Sequence, residues 1–589
     1  MTKQSWRRTS SSDNDLRLEV FRYAVVLFAG VIVLKLFFIQ VFQHNFYEAL
    51  ASGQHELFQE LIPERGEIYL HDFKDETLVP VAVNQELAFV YADPREIEEP
   101  EDTAEALGEL FGYDEEAVDA LEERLDQPED PYEPIERKVD EKTLERLLPL
   151  ELPGIHYTRE TSRLYPEPEM SGHVLGFLGA DVDGRLSGKY GIEGYFDELL
   201  TGTQGYLLSE RDIAGRLIAV GSREYEAAQD GADIVLTLDR TIQYKACSSL
   251  KAAVAKHGAD GGSIIIVSPA TGKILAMCGA PDFDSNHYGD VDSIDLFNNP
   301  AIFDAYEPGS VFKPFTMAAA IDAEAVTPTT TFTDTGSVMV DGWPKPIGNA
   351  EGKVYGTVDM TQVLEDSINT GMIYAMRAMG VETFVQTVKA FGFGQYTGIE
   401  LETENAGTID SLDLDAEIYA ATASFGQGIT VTPLQIVMAY AAIANGGVLK
   451  APLIVDEIQY SDGTIEKRAT RDIAQVIDPK TARLVGAMLV SVIEHGHGRR
   501  AGVPGYYIGG KTGTAQVAKL DGIGYEQDNT IGSFAGFGPV EDPKFAMVVR
   551  IDNPKDVVWA ESTAAPLFGE IAEFLLQYFE IPPVRSLEP

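Results

Sequence analysis

Two positions three residues apart, Ser310 and Lys313, carry side chains that together could activate a hydroxyl nucleophile. On a helix this spacing brings both side chains onto one face. A serine hydroxyl is a poor nucleophile until a neighbouring base takes its proton. A lysine can be that base when burial and nearby cations lower its pKa towards neutrality. The pair therefore predicts a nucleophile and its base, although by itself it also fits a helix N-cap followed by a solvated lysine.

The sequence around Ser310 distinguishes this pair from a second Ser-x-x-Lys pair, Ser248 and Lys251. Ser248 lies inside an amphipathic helical run, residues 241–256, where both polar side chains are expected to face solvent. Ser310 instead follows a Pro-Gly break and opens the apolar stretch 311–320, a pattern typical of a helix start. The first turn of a helix leaves backbone N–H groups unpaired. We therefore predict that the N–H of Ser310 is an oxyanion donor.

A second motif, Ser367-Ile368-Asn369, ends a predicted helical run over residues 359–367. We predict a turn there that aims both polar side chains into a cleft. Ser367 would relay a proton to the leaving amine, and Asn369 would orient Lys313 and the substrate amide. Taken alone, the motif also fits an ordinary helix stop.

A third motif, Lys511-Thr512-Gly513-Thr514, follows aromatic and β-branched residues that predict a strand. Glycines on both sides of Lys511 allow another segment to approach the strand closely. We predict that Lys511, with the hydroxyls of Thr512 and Thr514 on either side of Gly513, binds a substrate carboxylate. The N–H of Thr514 would complete the oxyanion hole. A lysine on an edge strand is common, but the three motifs together predict serine acyl transfer on a peptide with a free C-terminus.

The elements around these motifs predict an α+β catalytic domain over residues 229–589. Strand patterns lie at both ends of this region, at residues 262–268, 273–279, 534–539 and 545–551. Helical patterns fill its middle, and residues 566–579 form a closing helix, so we expect a sheet covered by helices. Residues 43–228, with short strand-like pieces and an acidic helical stretch, form a separate preceding module.

The N-terminal segment predicts a single membrane anchor. Residues 1–20 are polar and basic and are expected to be a cytoplasmic tail. Residues 21–42 are an apolar run of about 20 residues, long enough to cross a bilayer, and the stem of Lys35 can extend to the interface. No Lys or Arg occurs from residue 43 to residue 64, which predicts a single-pass protein of the cytoplasmic membrane with its catalytic domain outside. A cleaved signal peptide is the competing interpretation.

Composition excludes some functions. The chain has 45 Lys and Arg against 93 Asp and Glu, a formal net charge of −48, which argues against nucleic-acid binding. Cys278 ends an apolar strand, so we expect it to be a small buried hydrophobe rather than a disulfide partner of Cys247. His495 and His497 have no third ligand nearby, so no metal site is predicted. The sequence predicts no cofactor.

Together with several further motifs, these features resemble the class B, monofunctional penicillin-binding proteins over nearly the whole chain. Arg65-Gly66-Glu67-Ile68 resembles the family's signature just outside the membrane. Other stretches resemble its pedestal motifs and the segment before its Lys-Thr-Gly strand: Arg163-Leu164-Tyr165-Pro166, His173-Val174-Leu175-Gly176, Gly191-Ile192-Glu193-Gly194, Ser424-Phe425-Gly426-Gln427-Gly428 and Thr432-Pro433-Leu434-Gln435. The resemblance implies that Arg65, Gly66 and Glu193 are pedestal-motif residues. His71-Asp72-Phe73 departs from the family's usual Asp-Arg-Asn-Gly type of turn.

The resemblance implies a peptidoglycan D,D-transpeptidase of the division or sporulation type, with a pedestal (dimerisation-type) domain over 43–228 and a transpeptidase domain over 229–589. Such an enzyme cross-links stem peptides ending in D-Ala-D-Ala through an acyl-enzyme on Ser310, and β-lactams acylate the same serine. Because no Glu-Asp-Arg-x-Phe stretch of the bifunctional relatives occurs here, a multi-span peptidoglycan glycosyltransferase of the division or elongation machinery is the implied partner. The alternatives are a catalytically idle scaffold that activates such a partner, and a β-lactam-hydrolysing or sensing relative.

Overall fold

The computed structural model describes most of the chain as two compact units. It describes residues 12–37, 56–170, 172–181, 185–210, 223–518, 524–557 and 559–585. One unit comprises Met1–Pro63 with Thr203–Gln229, and the other comprises Glu64–Gly202 with Asp230–Pro589.

The first unit contains the N-terminal helix Ser12–Phe37 and a three-stranded antiparallel sheet. In this sheet, Gly205–Glu210 lies between Glu56–Leu61 and Arg223–Glu226. None of the helices in the described part of the chain is both long enough and apolar enough to qualify as a membrane span. Residues 1–11 of the predicted tail and 38–42 of the predicted anchor lie outside the described residues, as do residues 43–55.

A seven-stranded sheet in the second unit combines strands from both sides of residue 229. Asp233–Asp239 pairs in parallel with Ile68–Asp72, and the other pairings between its described strands are antiparallel. The order is Ile465–Lys467, Val455–Gln459, Asp233–Asp239, Ile68–Asp72, Thr77–Ala92 and Glu133–Val139, with Ile155–Leu164 also paired to Thr77–Ala92. The buried side chains of Ile68 and Ile234 are register partners at the parallel pair, so this strand contact is apolar.

The acidic stretch predicted to be helical contains three helices and one strand of that sheet. The helices are Pro100–Phe111, Glu115–Leu125 and Glu141–Leu147. One apolar stripe from each, including Leu107, Leu121 and Leu144, packs into a separate core, while the acidic side chains lie on the remaining faces, as expected for amphipathic helices.

The predicted sheet of the catalytic domain is a five-stranded antiparallel sheet. Its order is Ile274–Ala280, Gly261–Val267, Phe545–Asp552, Tyr525–Gly538 and Gly509–Ala518. Alternate residues belong to two different cores, Ile264 and Ile266 to one and Ile265 and Val267 to the other. Both faces are therefore buried, which explains why these strands are continuously apolar.

Helices cover both faces of the five-stranded sheet and confirm the predicted α+β class. Arg240–His257 and Ala564–Tyr578 supply the core on one face. The helical region that contributes to the other core is formed by Lys313–Asp322, Met360–Glu365, Asn369–Met379, Val381–Ala390, Glu417–Ala423, Pro433–Ala444 and Pro479–His495.

The expectation that Cys278 is unpaired is wrong, because Cys247 and Cys278 form a disulfide with a Cα–Cα distance of 5.3 Å. Both sulfurs are buried, since the helix Arg240–His257 lies across the strand Ile274–Ala280 and Cys247 is on the face that meets the sheet. Ser248, the next residue, is exposed, and its hydroxyl donates to the carbonyl of Lys245 in its own helix at 3.2 Å.

Candidate active site

The segment carrying Ser310 is a short 3-10 turn, Gly309–Phe312, that leads directly into the helix Lys313–Asp322. Ser310 is half-buried at this helix start, where we predicted it. Two hydrogen bonds hold the turn from outside. The N–H of Gly309 donates to the carbonyl of Gly426 at 2.9 Å, and the hydroxyl of Tyr440 donates to the carbonyl of Val311 at 2.9 Å.

Lys313 is 0% exposed, and its amine lies among three oxygen atoms of the second motif. Nζ is 2.6 Å from the carbonyl oxygen of Ser367, 3.1 Å from the hydroxyl oxygen of Ser367 and 2.8 Å from Oδ1 of Asn369. Burial, together with the positive charge of Lys511, holds the pKa of Lys313 well below its usual value. A lysine in this environment can be a neutral base near physiological pH.

The second motif forms the turn that was predicted between two helices. Ser367 has a φ of +56°, in the left-handed region, between the helices Met360–Glu365 and Asn369–Met379. This conformation is unfavourable for a residue with a Cβ. In it, the carbonyl and the hydroxyl of Ser367 both face Lys313. The amide nitrogen of Asn369 donates to the carbonyl of Gly348 at 3.2 Å, so its Oδ1 is oriented towards the lysine.

The third motif lies on Gly509–Ala518, the last strand in the order of the five-stranded sheet. Lys511 is 0% exposed, and its Nζ donates to the carbonyl and the hydroxyl of Thr512 at 3.1 and 3.3 Å. Burial lowers the pKa of Lys511 to about 7. The hydroxyl of Thr514 accepts a hydrogen bond from the N–H of Ala560 at 3.2 Å, which leaves its own O–H free to donate to a bound anion.

Glycines allow the third motif and the segment 424–428 to lie directly against the nucleophile turn. A Cβ on Gly513 would lie 2.9 Å from the carbonyl oxygen of Pro308 and 2.9 Å from a methyl group of Val311. A Cβ on Gly426 would lie only 2.1 Å from the carbonyl oxygen of Gly309. A side chain at either glycine would force the turn that carries Ser310, or the segment that contacts it, to shift.

Glu307 is a residue of this region that the sequence did not single out. Its carboxylate accepts hydrogen bonds from the N–H of Gly428 and from the hydroxyl of Tyr525, both at 3.0 Å. It thereby ties the strand Tyr525–Gly538 to the segment that precedes the nucleophile. The signal available in the sequence was its position two residues before Gly309, but an acidic residue beside a Pro-Gly break is unremarkable in a turn.

The residues of the pedestal motif form a buried ionic network away from the three catalytic motifs. Glu193 is 0% exposed and pairs with Arg65 at 2.6 Å and with Arg163 at 2.7 Å. Arg65 also contacts Asp197 at 2.8 Å. A Cβ on Gly66 would lie 2.0 Å from the carbonyl oxygen of Ala232. The network and this close contact join segments far apart in the sequence, which is a structural role.

His495 ends the helix Pro479–His495, and His497 lies just after it. His495 lies 3.2 Å from the hydroxyl of Ser491, and His497 lies 3.5 Å from a carboxylate oxygen of Glu561. Across the ranges that the structure describes, no group of three or more His, Cys, Asp or Glu side chains is arranged to hold a metal ion.

Chemically, the site joins a half-buried serine, a buried lysine with a lowered pKa, a second serine and a second buried lysine. Such groups can provide a nucleophile, a base, a proton relay and a carboxylate-binding cation. The structure therefore brings together all the residues of the three predicted motifs.

Comparisons with known proteins cover both halves of the chain. The model of the penicillin binding protein transpeptidase domain matches residues 262–573, and that of the penicillin-binding protein dimerisation domain matches residues 60–236. Stage V sporulation protein D of Bacillus subtilis (strain 168) is 34% identical over 574 residues, covering 96% of this chain and 87% of that protein.

Two further comparisons cover most of the chain. The peptidoglycan D,D-transpeptidase FtsI of Escherichia coli (strain K12) is 30% identical over 516 residues, covering 86% of this chain and 82% of that protein. The crystal structure of penicillin binding protein 3 from Mycobacterium tuberculosis, complexed with aztreonam, has a TM-score of 0.68 at 26% identity and covers 90% of this chain and 100% of that one. The chain therefore belongs to the class B penicillin-binding proteins, with a dimerisation domain followed by a transpeptidase domain.

Proposed function

We propose that the protein is a peptidoglycan D,D-transpeptidase of the division or sporulation type, which cross-links stem peptides through an acyl-enzyme on Ser310 and is acylated by β-lactams. The observation that carries the proposal is the environment of Lys313. This lysine is buried three residues after Ser310, and its amine contacts both Ser367 and Asn369. Burying a charged amine lowers the stability of the fold. A catalytically idle scaffold has no physical need for such a buried amine.

The first step is attack of the Ser310 hydroxyl on the penultimate carbonyl of a peptide ending in D-Ala-D-Ala. Lys313 takes the proton as the C–O bond forms. The N–H groups of Ser310 and Thr514 hold the resulting oxyanion, each donor being worth about 3–4 kcal/mol in comparable enzymes. Lys511, with the hydroxyls of Thr512 and Thr514, binds the terminal carboxylate.

The second step breaks the peptide C–N bond, and Ser367 is positioned to carry the proton to the leaving amine. Having taken the Ser310 proton, Lys313 is an ammonium with three N–H donors. It contacts the carbonyl and the hydroxyl of Ser367 and Oδ1 of Asn369. Of these three partners only the hydroxyl can accept a proton from Lys313 and donate its own onward, which makes Ser367 the relay between the lysine and the departing D-Ala.

The acyl-enzyme is then taken by an amine of a neighbouring stem peptide. That amine attacks the ester carbonyl and loses a proton to Lys313 by way of the Ser367 hydroxyl. The bond to Ser310 Oγ then breaks, and the serine regains that proton from Lys313. The product is a cross-link between two stems. A β-lactam follows the same first step, but its leaving amine stays attached through the opened ring, so the adduct on Ser310 persists.

The proposal includes a single N-terminal membrane anchor over residues 21–42 and a catalytic domain outside the membrane. The large apolar side chains between Phe21 and Phe37 support it, because those that the structure describes are largely exposed to the surroundings of the helix. Since the chain resembles monofunctional relatives, we propose that strand polymerisation comes from a multi-span glycosyltransferase partner. The pedestal motif around Arg65, Gly66 and Glu193 would support that docking region.

Intact-mass spectrometry of the full chain with benzylpenicillin tests the proposal. We expect a long-lived adduct on the unaltered protein and none on Ser310→Ala, while the matched variant Ser248→Ala, altered at the other Ser-x-x-Lys pair, should label like the unaltered protein. Absence of any adduct on the unaltered protein would favour an idle scaffold. An adduct that forms and is rapidly shed would favour a β-lactam-hydrolysing relative.

A further inference from the structure

A buried carboxylate next to the second motif is not used by the mechanism above. Asp334 is 2% exposed and lies at the end of the short strand Thr331–Asp334, which pairs with Gly356–Asp359. A carboxylate this deeply buried is costly unless several donors satisfy it, so its donors indicate what it holds in place.

Four donors from three different segments converge on this carboxylate. Oδ1 accepts from the N–H of Gly336 at 3.0 Å and from the hydroxyl of Thr370 at 2.7 Å. Oδ2 accepts from the side-chain amide of Asn349 at 3.0 Å and from the N–H of Tyr355 at 2.8 Å. Burial opposes ionisation, but these hydrogen bonds together lower the pKa of Asp334, so the group is a carboxylate at neutral pH.

Two of these donors are chain neighbours of residues in the second motif's hydrogen bonding: one follows Asn369, and the other follows the residue that orients its amide. Thr370 directly follows Asn369 at the start of the helix Asn369–Met379. Asn349 directly follows Gly348, whose carbonyl accepts from the amide nitrogen of Asn369 at 3.2 Å. Oδ1 of Asn349 also accepts from the N–H of Thr370 at 3.1 Å, so the two neighbours are bonded to each other as well as to Asp334.

We propose that Asp334 is a positioning residue for the transpeptidase reaction, which acts on Lys313 only through Asn369. By fixing Thr370 and Asn349 together, it sets both the backbone of Asn369 and the carbonyl that orients its amide. The Oδ1 atom of Asn369 is thereby held 2.8 Å from the amine of Lys313. The inference rests on the proposed function, because it assigns a role within that reaction.

Replacement of Asp334 by Asn is a sharp perturbation because it preserves size and removes acceptors. An amide NH2 placed at the Oδ2 position would face the two N–H donors of Asn349 and Tyr355. Placed at the Oδ1 position, it would face the N–H of Gly336. In either orientation at least one backbone or side-chain N–H loses its acceptor, which weakens the hydrogen bonding that holds these segments together.

The test measures benzylpenicillin acylation of the full chain as a function of drug concentration, which separates the maximal rate from the half-saturating concentration. For Asp334→Asn we expect the maximal rate to fall at least about 10-fold with the half-saturating concentration little changed, because Lys511 and its hydroxyl neighbours bind the carboxylate. The control is Asp359→Asn, on the partner strand, where the carboxylate caps the helix Met360–Glu365. Asparagine caps as well as aspartate, so this control should acylate within about 2-fold of the unaltered protein.

A double-mutant cycle decides whether the effect passes through Asn369. If it does, Asp334→Asn should cause no further loss in an Asn369→Ala background. A loss of equal size in that background, or an unaltered rate for Asp334→Asn alone, would overturn the inference. Thr370→Val keeps the shape of the threonine and removes one donor, so its maximal acylation rate should fall less than that of Asp334→Asn. This variant tests the inference if Asp334→Asn folds poorly. Failure of the unaltered protein to be acylated would instead count against the proposed function.

Discussion

Replacement of Lys511 by Met should stabilise the fold at neutral pH while it abolishes acylation. Lys511 is 0% exposed, and burial lowers its pKa from 10.5 to about 7. Because the pKa of Lys511 is lower in the folded protein than in the unfolded chain, the unfolded chain binds more protons between the two pKa values. Stability therefore rises as the pH rises through the interval between the two pKa values.

The magnitude follows from that interval. Each tenfold change in proton affinity is worth about 1.4 kcal/mol, so the burial of Lys511 costs about 5 kcal/mol below pH 7 and nothing above about pH 10.5. At pH 7, with the amine half-protonated, the cost is about 4 kcal/mol. Methionine has a similar shape but loses the two long hydrogen bonds to Thr512, worth about 1 kcal/mol together. The expected net gain is about 3 kcal/mol in the free energy of unfolding.

The assay is denaturant unfolding of the unaltered chain and of Lys511→Met at pH 7 and again near pH 10.5. Lys389→Met serves as a control, because that lysine is 44% exposed and forms only a surface ion pair with Asp413. We expect a higher unfolding midpoint for Lys511→Met at pH 7 and no advantage near pH 10.5. Equal midpoints at pH 7, or a gain that does not change with pH, would refute the claim that burial of the charged Lys511 amine lowers the free energy of unfolding.

Two further predictions concern the packing of the same domain. Gly513→Ala should slow benzylpenicillin acylation at least about 10-fold and lower the free energy of unfolding by about 1–3 kcal/mol, because the added Cβ would lie 2.9 Å from the carbonyl oxygen of Pro308; an unchanged acylation rate would contradict the close contact. Joint replacement of Cys247 and Cys278 by Ala should lower the free energy of unfolding by about 3–4 kcal/mol, because the disulfide closes a loop with a sequence separation of 31. Denaturant unfolding measures the loss, and a reducing agent should have no effect on the variant; unaltered stability would show that the bond is not formed.

The candidate site could be predicted because three motifs that each fit an ordinary structural role occur together in one chain. Lys313 follows Ser310 at the start of an apolar helix, and glycines around Lys511 mark a strand that another segment approaches. The α+β class could also be predicted, since continuous apolar runs such as residues 264–267 indicate strands covered on both faces. Each strand is therefore indicated by a few consecutive residues, whereas the site is indicated only by the three motifs taken together.

The disulfide and the mixed seven-stranded sheet could not be predicted in the same way. Cys247 and Cys278 are separated by 31 positions, and only the packing of a helix across a strand brings the two sulfurs together. Asp233–Asp239 looks like the first strand of a new domain, yet it pairs on one side with Val455–Gln459 and on the other with Ile68–Asp72, from the segment before it. An isolated strand pattern specifies which face is apolar, but it does not specify which other strand will pair with it.

The network around Asp334 shows why supporting residues are harder to find than catalytic ones. Asp334, Asn349 and Thr370 are 15 and 21 positions apart in turn, and Asp, Asn and Thr are the residues that turns ordinarily contain. Each of them therefore has a sufficient local explanation. Only their convergence, with four donors on one buried carboxylate, distinguishes them from turn residues. Since such a carboxylate is stable only when its donors are held in place, the same hydrogen bonds that make Asp334 tolerable make the position of Asn369 rigid. A rare residue type marks where the chemistry occurs, and the common polar residues around it determine how accurately its atoms are placed.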